Sequence, residues 1–201
     1  MSEAVKRYHA GAMILHWLMA LLILGNLALG LLLEDIPIEQ RFQFYQLHKS
    51  IGITVLVLTV LRIIWRLMYR APALPGHIKP WEKAVANLTY VLFYLLMVAI
   101  PFSGWMMVSS SPKNIPTFLY GILPLPHLPF FDAIQDIEAR KELSHSIEEV
   151  HLWLAYGLLT LLALHVGAAL RHHWILKDEI ILRMTPRWME GVLQKLRGKS
   201  I

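Results

Sequence analysis

The 201-residue sequence has no cysteine. That excludes disulfides, thiolate metal sites and c-type haem attachment through a CxxCH motif. Charge is scarce: Asp, Glu, Lys and Arg make up 16% of the chain, against about 25% in a soluble domain. There is no internal repeat and no low-complexity tract, which excludes solenoids and long disordered segments. What replaces the charge is apolar: 56% of residues are hydrophobic and mean hydropathy is +0.50. The net charge is +5, but in so apolar a chain the placement of charge matters more than its total, and nucleic acid is not an expected partner.

Crossing a hydrocarbon core of about 30 Å takes roughly 20 mostly apolar residues. Four segments reach that length, at about 12–33, 48–68, 88–108 and 148–170. The length suits a single membrane-embedded domain over residues 1–201. The fold class expected is an all-α integral membrane protein, a bundle of four transmembrane helices with lipid as its solvent. The first segment is read as a mature helix and not a cleaved signal, because it carries a histidine and Glu34-Asp35 follow where small residues would mark cleavage. Pro101 and Gly104 fall inside the third segment, where neighbouring helices make a kink tolerable.

Lysine and arginine beside the spans set orientation. Fourteen of them flank one side, against five (Arg41, Lys49, Lys113, Arg140 and Lys141) on the other. Both termini are therefore expected in the cytoplasm, with loops 34–47 and 109–147 outside, in the periplasm of a bacterium. The 109–147 loop opens on Ser, Pro and Asn breakers, and its acidic second half reads as a helix running into the fourth span. The tail after Leu170 mixes basic with apolar residues and is expected to lie along the anionic cytoplasmic leaflet.

Ten histidines are present. An ionisable side chain inside a span is costly and is a functional candidate by default. Four qualify: His16, His48, His151 and His165. A lone one is as readily a histidine satisfied by a neighbouring helix, but three relations join these four. By depth they split into His16 with His165 near the cytoplasmic side and His48 with His151 near the outer side. His151 and His165 stand 14 residues apart, a rise of about 21 Å and within about 40° of whole turns, so both rings leave one face. One turn on from each histidine, where helix neighbours meet, stands a small residue: Ala20, Gly52, Ala155 and Ala169. Small neighbours leave room for a flat macrocycle, which a bare metal ion does not need. Two b-type haems, each held non-covalently by two imidazoles, are the reading. Such haems have no open axial position and serve electron transfer.

Arg62 stands 14 residues after His48, at the depth of the cytoplasmic pair. An intramembrane arginine needs an anionic partner, and a haem propionate supplies one. Snorkelling to the surface is the bland alternative for Arg62, and the preferred reading for Arg66 one turn on. Lys49 offers the same service to the outer haem, or is solvated. His172 and His173 read as interfacial cations, and His9, His77, His127 and His145 as solvated. The tryptophans cluster near span ends, as aromatic belts do.

The pattern resembles the prokaryotic cytochrome b561 family of dihaem membrane proteins. The matching pieces are His16-Trp17 early in the first span, LHKSIG over Leu47 to Gly52, LRIIWR closing the second span, H-x13-H in the fourth, ALRHH after it, and KDEIILRM before the tail. The resemblance implies His16 with His165 on one haem and His48 with His151 on the other, as iron ligands. It implies residence in the inner membrane and electron exchange with ubiquinone as substrate or acceptor. It also offers periplasmic superoxide as donor, since some members are superoxide:ubiquinone oxidoreductases. Two other readings stand beside it: a cytochrome b subunit anchoring a membrane-bound dehydrogenase or hydrogenase, and a non-redox helical transporter with histidines in proton traffic.

Overall fold

The computed structural model describes residues 6–69, 71–73, 78–196 and 198. His77, expected to be solvated, lies outside them, as do Arg70, Arg197 and Lys199 of the orientation count. Four long helices carry the chain: α1 Ala10–Leu32, α2 Ile38–Met68, α3 Pro80–Ser110 and α4 Ile137–Arg171. Each contains a stretch long and apolar enough to cross a membrane, as the sequence led us to expect. A two-stranded antiparallel hairpin, β1 Thr117–Leu119 and β2 Leu123–Leu125, occupies the loop between α3 and α4. A short helix, α5 Glu190–Leu196, lies in the tail.

Local chemistry fixes the helix ends. The Asp136 carboxylate accepts from Glu138 N at 2.9 Å and caps α4, satisfying one of the orphan amides every helix start exposes. Pro80 opens α3 at a position where its missing N–H costs nothing. At the other end of α3, Arg140 donates to the carbonyls of Ser109 (3.1 Å) and Ser110 (3.2 Å), a cation where the helix dipole favours one. α2 and α4 begin ten or so residues ahead of their apolar stretches, so the connections at the hairpin end are shorter and more helical than hydropathy alone implies. Hydropathy marks where lipid begins, and a helix does not stop at that boundary.

The hairpin is tied down on α2. Gln46 donates from Nε2 to Pro116 O (2.8 Å) and accepts from Phe118 N (3.1 Å), standing in for one edge of a strand. Ser50 Oγ accepts from Tyr120 N at 2.9 Å, and Thr54 meets the Tyr120 hydroxyl at 2.7 Å. Trp105 of α3 donates to Pro126 O at 3.0 Å. One end of the bundle is thereby capped by the hairpin; the start of α1 and the end of α4 lie at the other.

At the terminal end the tail folds back over the bundle. α4 widens into a π-helical turn over His172–Leu176, closed by Lys177 in the left-handed region at φ 54°. Leu182, Arg183 and Thr185 are then buried. Arg183 donates to Lys6 O (3.1 Å) and Ala73 O (2.7 Å), and Arg7 pairs with Glu190 at 2.6 Å. Trp188, Val192 and Leu196 remain exposed. His173, read from sequence as an interfacial cation, is instead buried.

Candidate functional site

The inward faces follow a seven-residue ladder, close to two helical turns per step. On α4 the steps are His151, Leu158 and His165, and on α2 they are His48, Val55 and Arg62. On α1 they are His16, Ile23 and Gly30. On α3, Met97 and Gly104 continue the pattern. The middle rung is apolar on all four helices. Val55 and Met97 join Met19 in a buried cluster, with Ile23 packed against it, and Leu158 is buried too. The chemistry-bearing residues lie one rung above and one below this plug.

The lower rung, toward the termini, brings His16 of α1 to His165 of α4. Their ring centroids are 6.3 Å apart and their planes 69° to each other. The upper rung brings His48 of α2 to His151 of α4, again at 6.3 Å, with planes at 76°. The two depth pairs expected from sequence are thus each side by side in space. Backbone packing runs α1 on α2, α2 on α3 and, most extensively, α3 on α4. Both histidine pairs face each other across the wider separations, from α4 to α1 and to α2.

Each ring is held differently. Ser103 donates its hydroxyl to Ile100 O at 2.9 Å, so its oxygen accepts from His151 Nδ1 at 3.0 Å. That fixes the proton on Nδ1 and leaves Nε2 as the basic nitrogen. The Nδ1 of His48 is buried with no hydrogen-bond partner. Arg62, which has only donors, gives an Nη2 hydrogen to His16 Nδ1 at 3.1 Å. Phe93 of α3 lies edge-on to His165, with centroids 5.3 Å apart.

Two glycines complete the upper rung: Gly30, which the sequence reading passed over, and Gly104, read there only as part of a kink. A Cβ on Gly30 would stand 2.9 Å from Cε1 of His48, and one on Gly104 would stand 3.1 Å from Cε1 of His151. Gly52, singled out by its position after His48, meets nothing closer than the Asn26 amide at 3.8 Å. A signal for Gly30 did exist: it follows His16 by 14 residues, the same interval as His48 to Arg62 and His151 to His165.

Lys49 is half-buried beside His48. Other cations at the hairpin end are engaged: Arg41 with the carbonyls of Glu34 and Ile36, Arg140 with the end of α3, and Lys141 with Glu138 at 3.6 Å. His145 is exposed and stands 3.7 Å from both Glu148 and Glu149. At the terminal end, His9 stacks on Tyr69, Arg66 lies over the ring of Tyr90 at 5.3 Å, and His172 is bonded to Asp178.

Four apolar helices that bring two histidine pairs face to face define a mostly helical, multi-pass membrane protein; His16, His48 and His151 are half-buried and His165 is exposed. Comparison with known proteins makes the class specific. Residues 7–187 match the family model for prokaryotic cytochrome b561. The chain is 30% identical over 182 residues to cytochrome b561 homolog 2 of Escherichia coli K12, covering 89% of this chain and 91% of that protein. It is 29% identical over 182 residues to a probable superoxide oxidase of Yersinia pestis, covering 90% and 97%. A third relative, cytochrome b561 homolog 1 of E. coli K12, is 30% identical over 141 residues, covering 70% of this chain and 73% of that one.

The chain belongs to the prokaryotic cytochrome b561 family. It is a membrane cytochrome of the bacterial inner membrane, and it binds b-type haem.

Proposed function

We propose that this cytochrome carries two b-type haems and passes electrons between a periplasmic donor and the ubiquinone pool. In this reading His16 and His165 ligate one haem iron, and His48 and His151 the other. The observation that carries it is the ring spacing. Metal–imidazole bonds run about 2.0–2.1 Å, and a ring centre lies roughly 1.1 Å behind its nitrogen, so two imidazoles that face one metal from opposite sides would have centroids about 6.3 Å apart. Both pairs stand at 6.3 Å. Gly30 and Gly104 support it further, since side chains there would push against the His48 and His151 rings.

When bound, the haems supply iron centres that gain and lose one electron; the chain's own side chains do the rest. Ser103 keeps the His151 proton on Nδ1, so that Nε2 is available as a ligand. On the other pair, ligation through His16 Nε2 places the proton on Nδ1. Two donors would then face each other, which would leave Arg62 to pair with a propionate carboxylate instead. Lys49, adjacent to His48, gives the outer haem or an anionic donor a nearby positive charge. The apolar rung of Ile23, Val55, Met97 and Leu158 keeps water out between two sites separated by about 21 Å along α4.

The arginine and lysine count supports both termini in the cytoplasm, with the hairpin toward the periplasm and the 171–201 tail against the inner leaflet. Superoxide is the donor favoured by the likeness to a probable superoxide oxidase. Steering that anion needs local positive potential, and Lys49 and Lys113 are the cations this reading assigns to it. The test is stopped flow on purified holoprotein. Superoxide should reduce the haem band within the dead time or milliseconds, and added ubiquinone should reoxidise it. A haem band that stays oxidised under superoxide removes it as donor.

A second reading, the anchor subunit of a larger dehydrogenase or hydrogenase, is favoured by one feature. The hairpin turn exposes Tyr120, Ile122 and Leu123, with Ile122 84% exposed. Purification from native membranes at low detergent would bring down a stoichiometric redox partner if this reading holds.

A further inference from the structure

The tail holds a buried side chain for which the four ligand positions have no use. His173 is 3% exposed, and neither Nδ1 nor Nε2 has a hydrogen-bond partner. Its neighbour His172 is bonded to Asp178, so the contrast lies within a single turn. Burying an imidazole with nothing to bond is costly, and a fold retains such a group where something outside the chain completes it. No other described residue keeps both polar atoms of a buried ring unpaired.

Its position narrows what that partner is. His173 follows His165 by eight residues, just past the end of α4 at Arg171, about 12 Å further toward the terminal end and about 80° round the axis from it. Helical side chains lean toward the N-terminus, which on α4 means back toward the His16–His165 rung. It also sits in the π-helical turn of His172–Leu176. Such turns re-aim side chains and recur at functional sites. Leu182 and Thr185 of the returning tail are buried at the same end of the bundle.

Resting on the dihaem reading above, we propose that His173 binds a propionate of the haem held by His16 and His165, donating a ring N–H to its carboxylate. A haem's polar groups are its two propionates, and a carboxylate is the acceptor that repays a buried imidazole donor most fully. Arg62 approaches the same rung from α2, 3.1 Å from His16. The two residues divide the task, one propionate each.

The test uses holoprotein in nanodiscs, freed of quinone, with wild type, H173L and H173Q compared by haem content and redox titration. H173L should keep both haems and lower the potential of the haem that H16A removes, because an unpaired propionate charge favours ferric iron. The other haem should not move, and H173Q should recover part of the shift. Two haems with both potentials unmoved overturn the assignment, as does an equal shift of both. A shift that appears only after quinone is restored overturns it too, and assigns His173 to quinone instead. Wild type with fewer than two haems per chain sinks the dihaem reading itself, a separate failure. If H173L takes up no haem, H173Q with 13C-labelled propionates gives the answer. Its carboxylate band in reduced-minus-oxidised infrared spectra should shift from wild type, and an unshifted band overturns the proposal.

Discussion

Gly30 of α1 lies against the ring of His48 on α2, so closely that a Cβ would come within 2.9 Å of Cε1. The contact ties the first helix, which carries a histidine only on the lower rung, to the upper site. G30A should displace the His48 ring and weaken or remove the upper haem while sparing the lower one. The cost in stability should be about 1–3 kcal/mol, as for other overpacked interiors. G25A, where nothing lies within 4 Å, is the control and should leave both haems in place. Haem content of the purified variants checks this; equal losses from G30A and G25A would contradict it.

Ser103 sets the proton position on His151. S103A removes the oxygen that accepts from Nδ1, and partners of that kind are typically worth about 10–100-fold in metal affinity. The expected result is faster loss of the upper haem to apomyoglobin, with the lower haem leaving at the wild-type rate. S103T, which keeps the hydroxyl, should restore most of the retention. Identical transfer rates for S103A and wild type would leave Ser103 no role at the ring.

Arg62 carries a positive charge at the lower rung, 3.1 Å from His16 Nδ1. A cation near an iron centre disfavours its oxidised form, so R62L should lower the potential of the lower haem. The upper haem, about 21 Å away along the bundle, should keep its potential. R62K should fall between wild type and R62L, because lysine keeps the charge without the planar fork. Redox titration followed optically resolves the two, and a matching shift in both haems would contradict the separation of the rungs.

The hairpin's hold on α2 passes through the two residues that bracket His48 at a spacing of two. Q46A removes bonds to Pro116 O and Phe118 N and should loosen the hairpin. Hydrogen exchange at residues 117–125 should quicken, while exchange across α3 stays as in wild type. Unchanged protection of the hairpin amides would show that Ser50 and Thr54 suffice to hold it.

Much of this architecture was legible in the residues. Long apolar runs announced four helices, because lipid demands length and excludes charge. The ring pairs followed from depth and a 14-residue interval, since a histidine inside a span can be counted from its ends. What escaped was set by neighbours from other helices. Gly30 and Gly104 are ordinary residues in an apolar run until another helix places a histidine ring against them. Ser103 matters only because Ile100 takes its hydrogen. His173 was misread because its burial is set by tertiary packing, of which no local pattern at 172–173 gives a sign. The helical start of α2 lies outside its apolar stretch, where hydropathy carries no signal, whereas that of α4 was legible in the acidic run ahead of the fourth span.

The central claim is that each histidine pair holds its own haem. The most direct measurement is haem per chain, by pyridine haemochrome against quantitative amino-acid analysis, for wild type, H16A and H48A purified in the same detergent. Two haems in wild type and one in each folded variant, with a different haem surviving in each, is the predicted result. One haem in wild type, or loss of both from either folded variant, would contradict it.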